Sequence, residues 1–470
     1  MLPTRKFEVE IPSKWEDIQR VLLSATARRR LRDQVRALLS PSAKLGWCHL
    51  RDVTFRPGRK LTAYYDALVG KEGTEGYRTR PIAVTWGSVT DADRGGDGVD
   101  LGKLQSEALR RGVATPFLQL MADCPEQSMH IRVSPLDAGF IQLVRLSDPR
   151  HVCAMLADAY AWGSRATDPR RTGEYVVTSV RYRPGKRHVL RYDPVGPAKG
   201  EAVFAKPYTG ADGAHAFRVA NQTADWLAEQ GEGVKGLRPL AYVAEDAVVL
   251  YPRLLGAPLS DHLRCPSDAL ASCLERVGAA LYTLHCLPRA VAGPLEVRDF
   301  VHEIQAIRRA SSHIPALLPQ EGRAVEALLE RALELHERLP QEPPTFTHRD
   351  FKSDHVWVTP GGLTLIDFDI SRFADPALDV GSFLADLHWW EAVNNLPGPV
   401  TAQERFLAGY AAGAPKERLL RARLYEAVKL VKMTALRVHL SEPDWASRTA
   451  RMVGRAQVMM NDLHTLGFCA

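Results

Sequence analysis

A β-forming stretch bent at an Arg-Pro-Gly turn occurs twice, and this repeat constrains the fold more than any other feature of the chain. DVTFRPGRKLTAYYDALV, residues 52–69, runs parallel to SVRYRPGKRHVLRYDPV, residues 179–195. In both, residues that favour extended backbone flank a Pro-Gly pair. Proline presets the first turn position and glycine accepts a positive φ at the next, so both stretches read as hairpins. The agreement continues downstream. PIAVTWGS, residues 81–88, parallels AVFAKPYT, residues 202–209, with Thr85 where the second copy has Lys206. DAGFIQLVRLSDP then parallels DAVVLYPRLLGAP, setting Arg145 against Arg253. The offsets shrink from 127 to 121 to 108 residues, as in a duplication with unequal loops.

A second feature carries the chemistry. THRDFKSDHVWVTPGGLTLIDFD, residues 347–369, contains Asp350, then His355, a Pro-Gly-Gly turn, an apolar strand, and Asp367 with Asp369. This order lets one carboxylate orient a substrate hydroxyl while another holds a divalent cation against nucleotide phosphates. HRDFKSDH resembles the catalytic loop of kinase-like enzymes. LIDFDISRFADPALDVGSF resembles the metal-binding segment of the aminoglycoside phosphotransferase and choline kinase superfamily, with Ile366, Asp367, Phe368 and Asp369 where protein kinases carry Asp-Phe-Gly, followed by Asp375, Pro376 and Asp379. The resemblance runs from about Val177 to about Met460.

The resemblance implies a bilobal, protein-kinase-like α+β fold and transfer of a γ-phosphoryl group from ATP or GTP to a hydroxyl of a small molecule. Asp350 is then the catalytic base. Asp367 is the main metal ligand, with Asp369 and His355 beside it, and Asp379 is an acid that braces the loop. Lys206, at the end of a short apolar strand, would fix the phosphates. Arg183 and Lys186 at the second Arg-Pro-Gly turn would lie where related enzymes cover the nucleotide, and backbone groups near Tyr251 to Leu254 would read the base. The absence of a GxGxxG suits the small-molecule branch.

Two departures stand out. The family has an amide, usually Asn, where this chain has His355. Magnesium prefers oxygen ligands and imidazole suits softer metals, so manganese becomes the alternative to magnesium, and a packed histidine with no metal role stays open. The helix after Lys206 offers Asn221, Gln222 and Asp225 but no mid-helix glutamate. Both departures keep a second reading in play: a pseudokinase that binds nucleotide and scaffolds or regulates. Asp386, His388, Trp389, Trp390 and Glu391 are candidates for contact with a sugar or amine acceptor, since carboxylates and aromatic faces suit both, although core packing explains the tryptophans as well. His285, ending an apolar helix, reads as structural.

Of 61 Lys and Arg, 38 precede residue 260 against 29 acids, whereas residues 260–470 hold 23 against 26. The basic part suits nucleotide phosphates. No nucleic-acid-binding signature is present, so no nucleic-acid partner is expected. Arg28, Arg29, Arg30, Arg32 and Arg36 crowd one helix without interleaved aromatics and read as a solvated face. Seven cysteines without a Cys-x-x-Cys pair fit free thiols in a reducing cytoplasm. No apolar run approaches membrane-spanning length, and no membrane partner is expected.

The expected organisation is therefore an N-terminal helical segment over 1–44, a degenerate small-lobe-like domain over 45–150, and a linker over 151–171. A nucleotide-binding small lobe over 172–257 and a helical catalytic lobe over 258–470 follow. The extra lobe would cover the nucleotide or form a homodimer contact.

Overall fold

The computed structural model describes residues 14–71, 76–87, 99–162, 174–196, 201–231, 233–265, 269–394 and 400–466. Part of the expected linker, residues 163–171, lies outside them. The chain forms two compact units. One comprises Met1–Ala214, Pro239–Arg253 and His439–Ser441, and the other His215–Arg238, Leu254–Val438 and Glu442–Ala470.

The first unit opens with α1 (Trp15–Leu23) and α2 (Ala25–Ala37). Ser24 caps α2 by accepting the Ala27 amide. Only Leu31 and Val35 of α2 are buried, and its five arginines are exposed as expected.

Strands β1 (Ala43–Arg56), β2 (Lys60–Lys71) and β3 (Tyr77–Gly87) form an antiparallel meander, followed by α3 (Leu101–Arg110), β4 (Met121–Cys124) and β5 (Met129–Val133), giving strand order β1-β2-β3-β5-β4. After α4 (Leu143–Leu146) and α5 (Pro149–Trp162) come β6 (Glu174–Arg183), β7 (Arg187–Val195), β8 (Val203–Pro207), α6 (Asp212–Gln230), β9 (Val234–Gly236), β10 (Ala241–Val243) and β11 (Val248–Pro252). The second sheet has order β10-β11-β8-β7-β6, the same topology as the first. Register agrees except where the β-bulges fall, after Leu45 and Leu50 in the first hairpin and after Ser179 in the second. Val84 pairs with Ala63 and Ala205 with Leu190, at the offsets of 127 and 121 read from sequence. Thr85 faces His130 and Lys206 faces Val249. Each partner is the second residue of a strand that follows a 3-10 turn and one left-handed residue, Ser128 or Ala247. Thr85 therefore occupies the position of Lys206.

The third sequence match is corrected. The counterpart of β11 is β5, MHIRV, whose alternate residues are buried. DAGFIQLVRLSDP forms a turn and α4 instead, and Arg145 pairs with Asp246 at 2.7 Å. Its apolar residues Phe140, Leu143, Val144 and Leu146 follow helical spacing, not the period of two that a half-buried strand needs.

Two expected boundaries also move. The segment from 151 begins as helix α5, with Val152, Met155 and Leu156 buried at helical spacing. Most of α6 and all of β9 fall in the second unit, because β9 pairs in parallel with Gly362–Leu365. One core joins the two sheets of the first unit: Tyr64 and Ala83 meet Phe140, Leu146, Tyr182, Tyr192 and Leu250.

The second unit is helical. Its central helix, Ala377–Asn394, is buried over most of its length, as an element apolar on all sides must be. It lies against Lys416–Arg437, which in turn meets Phe300–Ser311 and Trp445–Leu466. No described helix is long and apolar enough to cross a membrane.

Candidate active site

Strand Thr345–Thr347 delivers the loop that carries His348, Arg349 and Asp350, and a 3-10 turn at Ser353–His355 leads into a hairpin. That hairpin pairs Val356 with Leu365 and returns the chain at Asp367, where the Ile366 amide donates to the His355 carbonyl at 3.1 Å. Residues 350, 355 and 367 thereby converge: one ligand atom from each of Asp350, His355 and Asp367 lies within 4.8 Å of the others. Asp369, expected as a second metal acid, is not part of this trio. Arg349 (φ 66°) and Asp367 (φ 68°) both occupy the left-handed region, where a non-glycine residue costs on the order of 1–3 kcal/mol. Such a conformation persists only when its surroundings hold it.

The holding groups come from the central helix. Asp379, fully buried, accepts the His348 amide at 2.6 Å and the Arg349 amide at 2.7 Å. Seven residues on, buried Asp386 accepts the Ser353 amide at 2.7 Å, and the Trp390 indole donates to the Ser353 hydroxyl at 2.7 Å. Positions 379, 386 and 390 share one helix face, so a single element pins the loop at both ends. His348 donates its Nε2–H to the Ile366 carbonyl at 2.8 Å, tying the loop to the strand before Asp367. His285 stands behind Asp379 at 3.2 Å and meets the Tyr410 hydroxyl at 2.8 Å, the structural part expected for it. The Arg349 guanidinium reaches Glu303, which also holds Lys429 at 2.9 Å and Lys432 at 2.8 Å. Against the opposing effect of burial, the two lysines keep the Glu303 carboxyl far below the usual carboxylate range. Burial lowers the Lys429 ammonium to about 8.

Asp350 is charged at neutral pH. Burial alone would raise its pKa, but His355 and Lys352 lower it below the ordinary value, and the Lys352 ammonium sits 2.8 Å from its carboxylate. His355 is neutral: burial, then repulsion by Lys352, pushes it down to about 4. Its Nδ1–H donates to the Asp350 carbonyl at 2.9 Å, which leaves the Nε2 lone pair facing the Asp367 carboxylate at 3.4 Å. Two acceptors facing each other repel unless a cation lies between them. The donor set, two carboxylates and one imidazole, fits a divalent ion with some affinity for nitrogen, manganese better than magnesium.

Lys206 lies in the first unit, its ammonium 5.7 Å from the Tyr208 ring. Tyr251 pairs with Phe204 on β11, and Leu254 belongs to the second unit. Arg183 forms an ion pair with Asp52 and lies over Tyr64, and Lys186 sits at the tip of the same hairpin. On α6, Asn221 and Asp225 bind Arg238, and Gln222 binds Arg218. The acceptor candidates have internal partners as well. Besides Asp386 and Trp390, His388 bonds Glu426 at 2.9 Å, Arg437 and Arg448 stack on Trp389, and Glu391 lies 3.5 Å from Arg455. Sequence reasoning passed over Lys352, though its place two residues after Asp350 signals a short-range ion pair. Glu303 carried no local signal.

Residues 187–426, more than half of the chain, match the phosphotransferase enzyme family. The chain belongs to this family. This phosphotransferase is similar in structure to a thermostable mutant of aminoglycoside phosphotransferase APH(4)-Ia, with 18% identity over 62% of this chain and 95% of that one and a TM-score of 0.45. It is also similar to choline kinase from Cryptosporidium parvum Iowa II, with 10% identity, 68% and 97% coverage and a TM-score of 0.47. A third similar structure is spectinomycin phosphotransferase APH(9)-Ia in complex with ADP and spectinomycin, with 13% identity, 61% and 93% coverage and a TM-score of 0.42. No curated protein matches the phosphotransferase.

Proposed function

We propose that the chain is a small-molecule kinase that moves the γ-phosphoryl group of ATP or GTP to a hydroxyl. The convergence of Asp350, His355 and Asp367 carries this reading. Asp350, ionised and half-exposed, accepts a hydrogen bond from the acceptor hydroxyl and takes its proton as the bond to phosphorus forms. Lys352 beside it offsets charge on the transferred group. Asp367 and His355 hold the divalent cation, magnesium or manganese, which when bound neutralises phosphate charge. Lys206, Arg183 and Lys186 hold the phosphates, and Tyr251 and Leu254 flank the base. Most of the rate gain comes from positioning and charge neutralisation.

A pseudokinase is the second reading, favoured by an imidazole where the family places an amide oxygen and by the engagement of Asn221, Gln222 and Asp225 with arginines. A screen of hydroxyl compounds with ATP and GTP, in magnesium and in manganese, separates the two. Acceptor-dependent release of ADP or GDP establishes the kinase. Calorimetric nucleotide binding without turnover on any acceptor establishes the pseudokinase.

A further inference from the structure

Three cations converge on one carboxylate inside the second unit. Glu303 lies on helix Phe300–Ser311, and Lys429 and Lys432 lie on helix Lys416–Arg437, three residues apart and so on one face. Both ammonium groups meet the same Glu303 oxygen, Lys429 at 2.9 Å and Lys432 at 2.8 Å. The Arg349 guanidinium donates to the other oxygen at 3.3 Å. Among the described residues no second carboxylate pairs with any of the three cations.

The mismatch is one of charge and of donors. Three cations less one carboxylate leave two positive charges. Three N–H groups on each lysine and five on the arginine give about eleven donors, against about four acceptor positions on a carboxylate. The Arg349 Nε–H is buried and has no acceptor among the described residues. Burial makes the excess costly, because the Glu303 and Lys429 side chains are each only 4% exposed. Elsewhere in the same unit a buried arginine is matched in full: Arg421 meets Asp375, Glu342 and the Pro340 carbonyl. The cluster is also within reach of solvent, since Lys432 is 26% exposed.

We propose that Arg349, Lys429 and Lys432 form a binding site for a doubly charged oxyanion, inorganic phosphate or the phosphate group of a small phosphomonoester, which shares the three cations with Glu303. Two negative charges offset the two positive ones, and the phosphate oxygens supply the acceptors that a single carboxylate cannot. Glu303, Lys429 and Lys432 stand outside the trio of Asp350, His355 and Asp367, and the site does not depend on the phosphotransferase reading. It bears on the same loop all the same. The Arg349 backbone, at φ 66° with its amide held by Asp379, forms the turn that leads into Asp350, so an oxyanion on its guanidinium steadies that turn.

The test titrates the full chain, free of nucleotide and divalent metal, with inorganic phosphate and with glycerol 2-phosphate at constant ionic strength. Binding is read by phosphorus NMR line width and by the rise in urea midpoint, and the tighter of the two ligands identifies the source of the phosphate. Lys432 is partly exposed, so Lys432→Gln keeps the fold. It should weaken binding roughly 5- to 50-fold through loss of one charge-assisted contact in a partly screened setting, and Lys432→Arg should restore most of the loss. Lys352→Gln removes an equal charge beside Asp350 and should leave the affinity near native. Bound oxyanion should also slow hydrogen exchange at the Arg349 amide. Affinity in Lys432→Gln equal to that of the native chain, or loss of binding in Lys352→Gln instead, overturns the site. Failure of the native chain to bind either ligand overturns it too, the donors then being met by water.

Discussion

The carboxylate of Asp379 accepts the backbone amide of Arg349 at 2.7 Å across thirty residues of chain. Its other oxygen takes the His348 amide, so one buried side chain sets the left-handed turn that aims Asp350. Asp379→Ala strands two amides and His285 without an acceptor. It should lower stability by about 3–5 kcal/mol, read as a shift in the urea midpoint. Asp379→Asn keeps one acceptor oxygen and should lose less. If both variants unfold at the native midpoint, Asp379 does not brace the loop.

Asp350→Ala should reduce phosphotransfer at least about 100-fold, because a positioned base contributes on the order of 10²- to 10⁴-fold. Nucleotide affinity by calorimetry should stay near native, since Asp350 acts on the acceptor. Unchanged turnover would remove Asp350 from the mechanism.

The lone pair of His355 facing Asp367 sets metal preference. With imidazole in the donor set, the native chain should bind manganese more tightly than magnesium, as read by paramagnetic resonance of free manganese with magnesium as competitor. His355→Asn replaces nitrogen with an amide oxygen and should narrow or reverse that preference. Asp367→Ala should abolish metal-dependent nucleotide binding. An Asn variant with the native preference makes His355 a bystander.

Local chemistry was legible in the sequence, and long-range chemistry was not. The Arg-Pro-Gly turns and their flanking strands gave both hairpins and the match that sets Thr85 at the position of Lys206, because turn residues and alternation act over a few positions. The third match failed where residue likeness at an Asp-Ala pair was followed against the helical spacing of Phe140, Leu143 and Leu146. Asp350, His355 and Asp367 were brought together by a hairpin readable as Pro-Gly-Gly between apolar runs. Asp386 was one of several candidates for contact with an acceptor; its carboxylate accepts the Ser353 amide, 33 residues away, and a carboxylate on a helix looks alike in either role. The hydrogen bond from the Gly185 amide to Asp137 spans 48 residues and joins two loops, so nothing in either loop announces it.

Acid should destabilise the second unit through His313. The residue is buried near the Trp445 ring, and burial lowers its imidazole from the ordinary value to about 4. In the unfolded chain a histidine titrates at about 6.5, so between these values the unfolded state binds more protons than the folded one. Stability is therefore full above about pH 6.5 and falls as pH drops toward 4, with a limiting loss of about 3 kcal/mol from this group. Carboxylates such as Glu303, held far below their usual range, lose their stabilisation mainly below about pH 5, a window that only the lower end of the histidine's overlaps, so the group is isolated by difference. His313→Gln stays neutral throughout. Denaturant unfolding of both proteins at pH 7 and pH 4.5 should show a smaller acid loss in the variant by about 2–3 kcal/mol. Equal acid losses in the two proteins would mean that His313 is protonated in the folded chain at no cost, and the acid limb would belong to other groups, buried His355 among them.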